Sequence, residues 1–147
     1  MTMHRRPLGR GRTLAAMATP LIVLGCLLPW WTVGGTPGIP SQSNNGMAGS
    51  GIVVFLVGAA TLALVALPYA AGDRPLALDR WLSFAILAVA GWIGLGWQIV
   101  QLALIGAFQF HEPAEVFTNG PGIWLAGAGL VVLSRAVYEM AAEPVRR

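Results

Sequence analysis

Four long apolar stretches alternate with shorter polar connections along this chain. An α-helix needs about 20 apolar residues to cross a hydrocarbon core of about 30 Å, and these stretches are close to that length or longer. The sequence therefore predicts an all-α protein, an integral membrane bundle of four transmembrane helices in a single domain. The predicted spans are 13–33, 50–71, 81–108 and 122–138.

Two of the predicted spans depart from a simple helix. Pro20 and Pro29 lie within the first, and membrane helices tolerate proline where neighbouring groups satisfy the freed carbonyls. The third is the longest, so we expect it to tilt, to bend at its glycines or to project beyond the membrane surface. The fourth is predicted to be the shortest.

The charges of the connections predict the orientation. All nine basic residues are Arg, and they lie before the first stretch, in the connection 72–80, and at or beyond the end of the fourth. The connections 34–49 and 109–121 contain none. Because Lys and Arg collect in cytoplasmic loops, both termini and 72–80 are predicted inside and the other two connections outside. We expect a multi-pass protein of the bacterial plasma membrane.

Composition supports lipid as the solvent of this chain. Hydrophobic residues make up 56% of it and charged residues 10%, whereas a soluble protein has about a quarter charged residues. The net charge is +3, and the basic residues are not interleaved with aromatic residues. Attraction to anionic lipid headgroups explains the basic residues, so membrane lipids are the expected partners and nucleic acid is not.

The predicted spans lack the groups that membrane catalysis and ion coupling require. No Asp, Glu, Lys or His lies in the middle of any of them. Proton and ion coupling depend on such groups, thiol oxidation needs paired cysteines, and an intramembrane haem needs two histidines. The sequence predicts a non-catalytic protein with no cofactor and no metal.

A polar face in the third span is the main candidate site. Gln98 and Gln101 share one side of a helix, with Trp97 beside them. The favoured interpretation is structural, because amides in hydrocarbon form hydrogen bonds between helices. The alternative is a polar pocket for a lipid headgroup, a quinone or another amphiphile. Trp92 and Trp97 lie deep in the span, which predicts protein-facing positions.

Two weaker candidates lie elsewhere. His111, Glu112 and Glu115 could form a metal or proton site in the second outer connection, but three ligands do not close a structural zinc site. Solvated loop residues are the favoured interpretation. Cys26 follows a sequence that loosely matches a lipoprotein signal, yet the apolar run continues to Trp31, which favours a retained helix. Trp30 and Trp31 are predicted at the outer interface, with the indole N–H groups in water.

The first half of the chain carries three recognisable features: Leu-Pro-Trp-Trp at 28–31, a Gly/Asn-rich segment at 44–49 and a glycine-led helix start at 51–58. In these it resembles small, uncharacterised four-span membrane proteins of high-GC bacteria. The resemblance implies an architecture and no activity.

Three functional hypotheses follow from the sequence. The leading one is a non-catalytic membrane protein that packs against other membrane subunits or a second copy of itself, as a small accessory subunit. The alternative is a binder or carrier of a lipid-like or quinone-like amphiphile, through the face of Trp97, Gln98 and Gln101. The third is a transporter or channel that works as a homo-oligomer.

Overall fold

The computed structural model describes residues 9–35, 37–71, 81–108 and 114–142, most of which are helical. The predicted inner connection 72–80 and residues 109–113 of the second outer connection lie outside these ranges. The elements in chain order are α1 (Arg10–Leu27), β1 (Pro29–Val33), β2 (Gln42–Asn45), α2 (Gly51–Ala71), α3 (Trp81–Leu104), α4 (Glu115–Thr118) and α5 (Pro121–Ala142).

Among the described residues, three helices are long and apolar enough to cross a membrane, namely α2, α3 and α5. α3 has 24 residues, about 36 Å at 1.5 Å per residue, which exceeds a hydrocarbon core. α1 is shorter, at 18 residues, and begins with Arg10 and Arg12. It is not one of the three.

α1 and α5 are in direct backbone contact. A methyl group placed on Gly25 would lie 2.8 Å from the Ala126 Cα, and one on Gly129 would lie 2.8 Å from the Ile22 backbone nitrogen. Real side chains are not found at such distances, so only glycine fits at both positions. Small residues of this kind allow membrane helices to approach closely and to gain dispersion contacts along their length.

These contacts also fix the relative direction of the two helices. A methyl group on Gly11, near the start of α1, would lie 3.0 Å from the carbonyl oxygen of Ala136, near the end of α5. Gly25, near the end of α1, lies against Ala126, near the start of α5. The helices are therefore antiparallel, and Arg10, Arg12 and Arg135 lie at one end of the bundle.

Glycines also mediate the contacts of α2. A methyl group on Gly58 of α2 would lie 2.9 Å from Ile22 Cγ2 of α1, and one on Gly94 of α3 would lie 3.0 Å from Val53 Cβ of α2. The core of the bundle follows these contact lines. Its largest fully buried apolar side chains include Trp30, Phe84, Ile22, Leu130 and Leu133.

The end of the first predicted span differs from the structure. The helix ends at Leu27 and residues 29–33 form a β-strand. Pro29 is the cause, because a residue before proline avoids the helical region, and Leu28 is extended at φ −75° and ψ 157°. An all-α description thus omits a two-stranded antiparallel sheet, in which Thr32 pairs with Ser43. Its strand β1 is rich in aromatic and β-branched residues, which favour sheets.

The hairpin contains a β-bulge at Trp30. Pro29 pairs with Asn45 and Trp31 pairs with Asn44, so Trp30 is the additional residue on β1. A bulge re-aims the inserted side chain, and Trp30 is buried in the bundle at 1% exposure. The sequence predicted instead an indole at the membrane interface with its N–H in water. Burial is possible because the protein itself satisfies that N–H group.

The last two predicted spans also have different bounds. α3 ends at Leu104 rather than Phe108, because Gly106 has φ +71° and closes a Schellman motif in which the Ala107 N–H donates to the Leu102 carbonyl. α5 has 22 residues and is longer than α1, so it is not the shortest of the four. Pro121 begins it, a position at which proline has the φ angle that a helix needs.

We predict that substitution by alanine destabilises the fold at Gly25 and stabilises it at Gly96. Gly25→Ala should lower the melting temperature, because overpacking against a backbone costs about 1–3 kcal/mol. Gly96→Ala is the control: no atom of the described residues lies within 4 Å of a methyl group there, and the helix gains up to about 1 kcal/mol. Circular dichroism of the purified protein in detergent measures both. A Gly25→Ala variant as stable as the wild type would contradict the α1–α5 contact.

Candidate functional site

An apolar cavity of about 610 Å³ lies between α3 and α5. Away from the hairpin these helices touch, because a methyl group on Gly91 would lie 2.5 Å from Leu130 Cδ2. Nearer the hairpin the contact loosens: a methyl group on Gly127 would lie 3.8 Å from Leu95 Cδ2. The cavity occupies the region in which the two helices separate.

Four tryptophans dominate the cavity wall: Trp30, Trp31, Trp92 and Trp124. Leu95 and Ile99 of α3 and Ile123 and Val131 of α5 add aliphatic surface. Thr32 and Asn119 supply the side-chain polar groups of the lining. Such a wall favours hydrocarbon or an aromatic ring over water.

The short helix α4 closes one side of this cavity. Phe117 stacks at a tilt on Trp124, with ring centroids 5.0 Å apart. The Trp124 Nε1–H donates to the Val116 carbonyl at 2.9 Å, and Val116 also lines the cavity. The indole of Trp124 is therefore held in place from the outer side of the bundle.

Trp30 connects the cavity wall to the end of α1. Its Nε1–H donates to the Gly25 carbonyl at 2.8 Å, and the Gly46 N–H donates to the Cys26 carbonyl at 2.9 Å. Both carbonyls belong to the last turn of α1, where carbonyl oxygens have no N–H donor within the helix. Glycine is required at Gly46 and Gly120, since a methyl group would lie 2.5 Å and 2.6 Å from Trp30 atoms.

The indole N–H groups of the four tryptophans are not equivalent. Those of Trp30 and Trp124 donate to backbone carbonyls, and that of Trp92 donates to Ser134 Oγ at 3.0 Å. The N–H of Trp31 donates to no acceptor within the described part of the chain. Trp31 is half-buried and lines the cavity, so its N–H is the one indole donor of the four that the described residues leave unpaired.

A second cavity, of about 430 Å³, lies between the hairpin, the start of α2 and the end of α3. Asn44, Gln98 and Gln101 give it polar walls, and Leu102 and Ile105 add apolar ones. It borders the apolar cavity, because Trp31 lines both.

Gln98 joins α2 to α3. Its Oε1 accepts hydrogen bonds from Ser50 Oγ at 2.6 Å and from the Gly51 N–H at 3.2 Å. The Gly51 N–H is one of the first donors of α2, which have no acceptor within their own helix. Gln98 is only 8% exposed, whereas Gln101 is exposed and has its Oε1 3.2 Å from Ser50 Oγ. Both amides thus lie at a helix contact and at the edge of a cavity.

Trp97 does not share this surface. It is 60% exposed on the outside of α3, although the sequence predicted a protein-facing position. Successive helical residues point about 100° apart, so Trp97 and Gln98 face different directions. Trp92 is intermediate: its ring is 42% exposed, while its N–H bonds to α5.

The remaining predicted candidates form no site in the described residues. His111 and Glu112 lie outside them, and Glu115 is the partly buried first residue of α4. The described ranges contain no group of three or more His, Cys, Asp or Glu side chains that could hold a metal. Cys26 is fully buried in the last turn of α1.

The apolar cavity was not predicted from the sequence, although part of its pattern is visible there. Trp92, Leu95 and Ile99 recur at helical spacing on α3. Trp124 and Val131 lie on the same face of α5. This spacing marks two apolar faces. It does not reveal that the faces stand apart, because their separation depends on contacts elsewhere along the helices.

Comparison with protein-family models, curated proteins and solved structures finds no match to this chain.

We predict that the Trp30 hydrogen bond stabilises the fold. Trp30→Phe keeps an aromatic ring but leaves the Gly25 carbonyl without its donor, which should cost about 1–3 kcal/mol. Trp97→Phe is the control, since its ring is largely exposed and an exposed change is worth less than about 0.5 kcal/mol. Unfolding in a mixed-detergent titration compares the two. Equal stability of both variants would contradict the structural role of Trp30.

Proposed function

We propose that this chain is a membrane protein that binds the apolar part of a lipid-like amphiphile between α3 and α5. The observation that carries the proposal is the cavity of about 610 Å³ with its four tryptophans. Sites for small molecules commonly have volumes of about 300–1000 Å³ and mostly apolar walls. An alkyl chain or an isoprenoid chain matches this size and chemistry.

The physical state of the cavity supports an apolar occupant. Water gains too few hydrogen bonds in a space with this lining, and an empty space of this size would forfeit the dispersion contacts of its walls. No charged side chain of the described residues lines either cavity. The occupant is therefore uncharged where it contacts the protein.

The proposal includes four spans in the bacterial plasma membrane, with α1 as the fourth spanning helix. α1 buries Ala15, Ala18, Ile22 and Cys26, and its backbone contact with α5 supplies a protein neighbour along most of its length. The end that carries the basic residues then faces the cytoplasm. The hairpin and both cavities lie in the outer half of the membrane.

A small accessory subunit is the second candidate. The outer side of α3 supports it, because Ile93 and Trp97 are 67% and 60% exposed and Gly96 between them leaves an open notch. Lipid covers such a surface equally well. The exposed face therefore supports a protein partner less strongly than the cavity supports a bound amphiphile. The homo-oligomeric transporter or channel stays a prediction from the sequence.

The proposed topology predicts a labelling pattern. In a Cys26→Ala background, Ser41→Cys in the hairpin should react with a membrane-impermeant maleimide in intact cells. Pro75→Cys, in the predicted inner connection, should react only after the cells are permeabilised. Labelling of residue 75 in intact cells would overturn the orientation, and the positive-inside distribution of Arg is the reason to expect otherwise.

Filling the cavity should abolish binding. We predict that purified wild-type protein carries an amphiphile, detectable by native mass spectrometry and by analysis of the extracted lipid. Gly127→Leu places a side chain in the cavity and should remove most of this molecule. Gly96→Leu makes the same change on the outer side of α3, where no described atom lies within 4 Å of a methyl group, and it should retain the molecule.

Two results would contradict this proposal. One is a wild-type protein that carries no amphiphile even after lipid is added. The other is a Gly127→Leu variant that retains as much of the molecule as Gly96→Leu does. Circular dichroism of both variants ensures that the comparison is made between folded proteins.

A further inference from the structure

We infer that the polar cavity beside Gln98 holds the headgroup of the same amphiphile, and that this headgroup is uncharged and carries a carbonyl oxygen. The inference rests on the proposed function, because the apolar cavity supplies the site for the tail. Trp31 lines both cavities, so one molecule can place its two parts in them.

The orientation of the Gln98 amide is fixed by the backbone. The Gly51 N–H can only donate, so the amide atom 3.2 Å from it has to be the oxygen. Exchange of the oxygen and the nitrogen would place two donors face to face. The Nε2 group, with its two N–H donors, is therefore the half of the amide that does not bond to Ser50 or Gly51, and it lies 3.8 Å from the position of a methyl group on Gly49, which also lines the polar cavity.

Among the described residues these donors have no acceptor, although Gln98 is buried, with a relative exposure of only 8%. Buried polar groups nearly always have a hydrogen-bond partner, and leaving one unpaired is unfavourable. Gln98 lines the polar cavity. An acceptor atom of a bound molecule in this cavity would complete the set of hydrogen bonds.

Trp31 supplies a second donor at the boundary between the cavities. Its Nε1–H is the one cavity indole donor without an acceptor among the described residues. Asn44, on the other side of the polar cavity, already uses its Oδ1 to accept the Asn45 N–H at 2.9 Å. The pattern favours a ligand that accepts hydrogen bonds, and a carbonyl oxygen can accept two.

The charges around the site argue against a phosphate headgroup. A phosphate is bound by Arg or Lys, often in bidentate pairs. The described Arg side chains at positions 10, 12 and 135 lie at the opposite end of the bundle. A ring carbonyl, as in a quinone, or an ester carbonyl, as in an acylglycerol, needs no such partner. These two sources share the chemistry that the site recognises.

The test compares probes with and without the carbonyl group. Native mass spectrometry titrations of the full-length protein would use decyl-benzoquinone, dioleoylglycerol, decylbenzene and phosphatidylglycerol. We expect the wild type to bind at least one of the first two about tenfold more tightly than decylbenzene. Phosphatidylglycerol has ester carbonyls together with a charged phosphate, so we expect it to bind less tightly than the preferred carbonyl probe. The tighter of the two carbonyl probes identifies the source of the headgroup.

Three variants separate recognition from packing. Gln98→Met removes the two donors at similar volume, and it should weaken binding of the preferred carbonyl probe about tenfold while changing decylbenzene less than about twofold. Trp31→Phe should change the two affinities in the same selective way. Ser50→Ala is the control: it removes the bond to Gln98 Oε1 and leaves Nε2 in place, so it should preserve the preference.

The outcomes distinguish this inference from the proposed function. If Gln98→Met and Trp31→Phe weaken both probes equally, these residues only support packing, and the inference is overturned. Tighter binding of phosphatidylglycerol than of the carbonyl probes would also overturn it. In both cases the tail site stands. Failure of the wild type to bind any of the four probes would instead refute the proposed function.

Discussion

The contact between the α1 and α5 backbones is the constraint on which the rest of this structure depends. In water two apolar helices are driven together by the hydrophobic effect, but in lipid that driving force is absent. In the proposed membrane setting, close packing through glycine takes the place of that driving force. Gly25 and Gly129 bring the backbones together, and the carbonyls at the end of α1 then lie beside the start of α5, where a methyl group on Gly122 would meet Gly25 O at 2.5 Å.

The hairpin depends on that contact. Gly46, Gly120 and Gly122 surround Trp30, which in turn satisfies a carbonyl of α1. The indole thus connects α1, β1 and the start of α5. With this end of the bundle held by the hairpin, α3 and α5 can stand apart there, and the space between them becomes the apolar cavity.

The sequence predicted the helices well where apolar length decided the outcome, and less well where single residues did. Spans near α2, α3 and α5 follow from composition alone. The hairpin was missed because Trp30 and Trp31 continue an apolar run that Pro29 had already ended. Gly106 ended α3 early through a positive φ angle, which a window of hydropathy does not register.

The candidate site shows a similar division. Polarity within a span pointed to Gln98 and Gln101, and the structure places both at the polar cavity and at hydrogen bonds to the start of α2. These two glutamines can form hydrogen bonds between helices and also line a polar pocket, so the two interpretations of their role are compatible. The apolar cavity could not be predicted, because its volume results from the distance between two helices and not from the identity of any one residue.

One further consequence concerns the order in which the chain is synthesised. The Trp30 N–H and the Gly25 carbonyl that it bonds are five residues apart, so both partners of this bond are synthesised almost together. The first N–H of α2 instead has its acceptor on Gln98, which is synthesised 47 residues later. The glycine faces of α1 wait longest, until α5 exists. α1 is therefore synthesised well before the helix that makes its closest contacts, and those contacts form only when α5 follows.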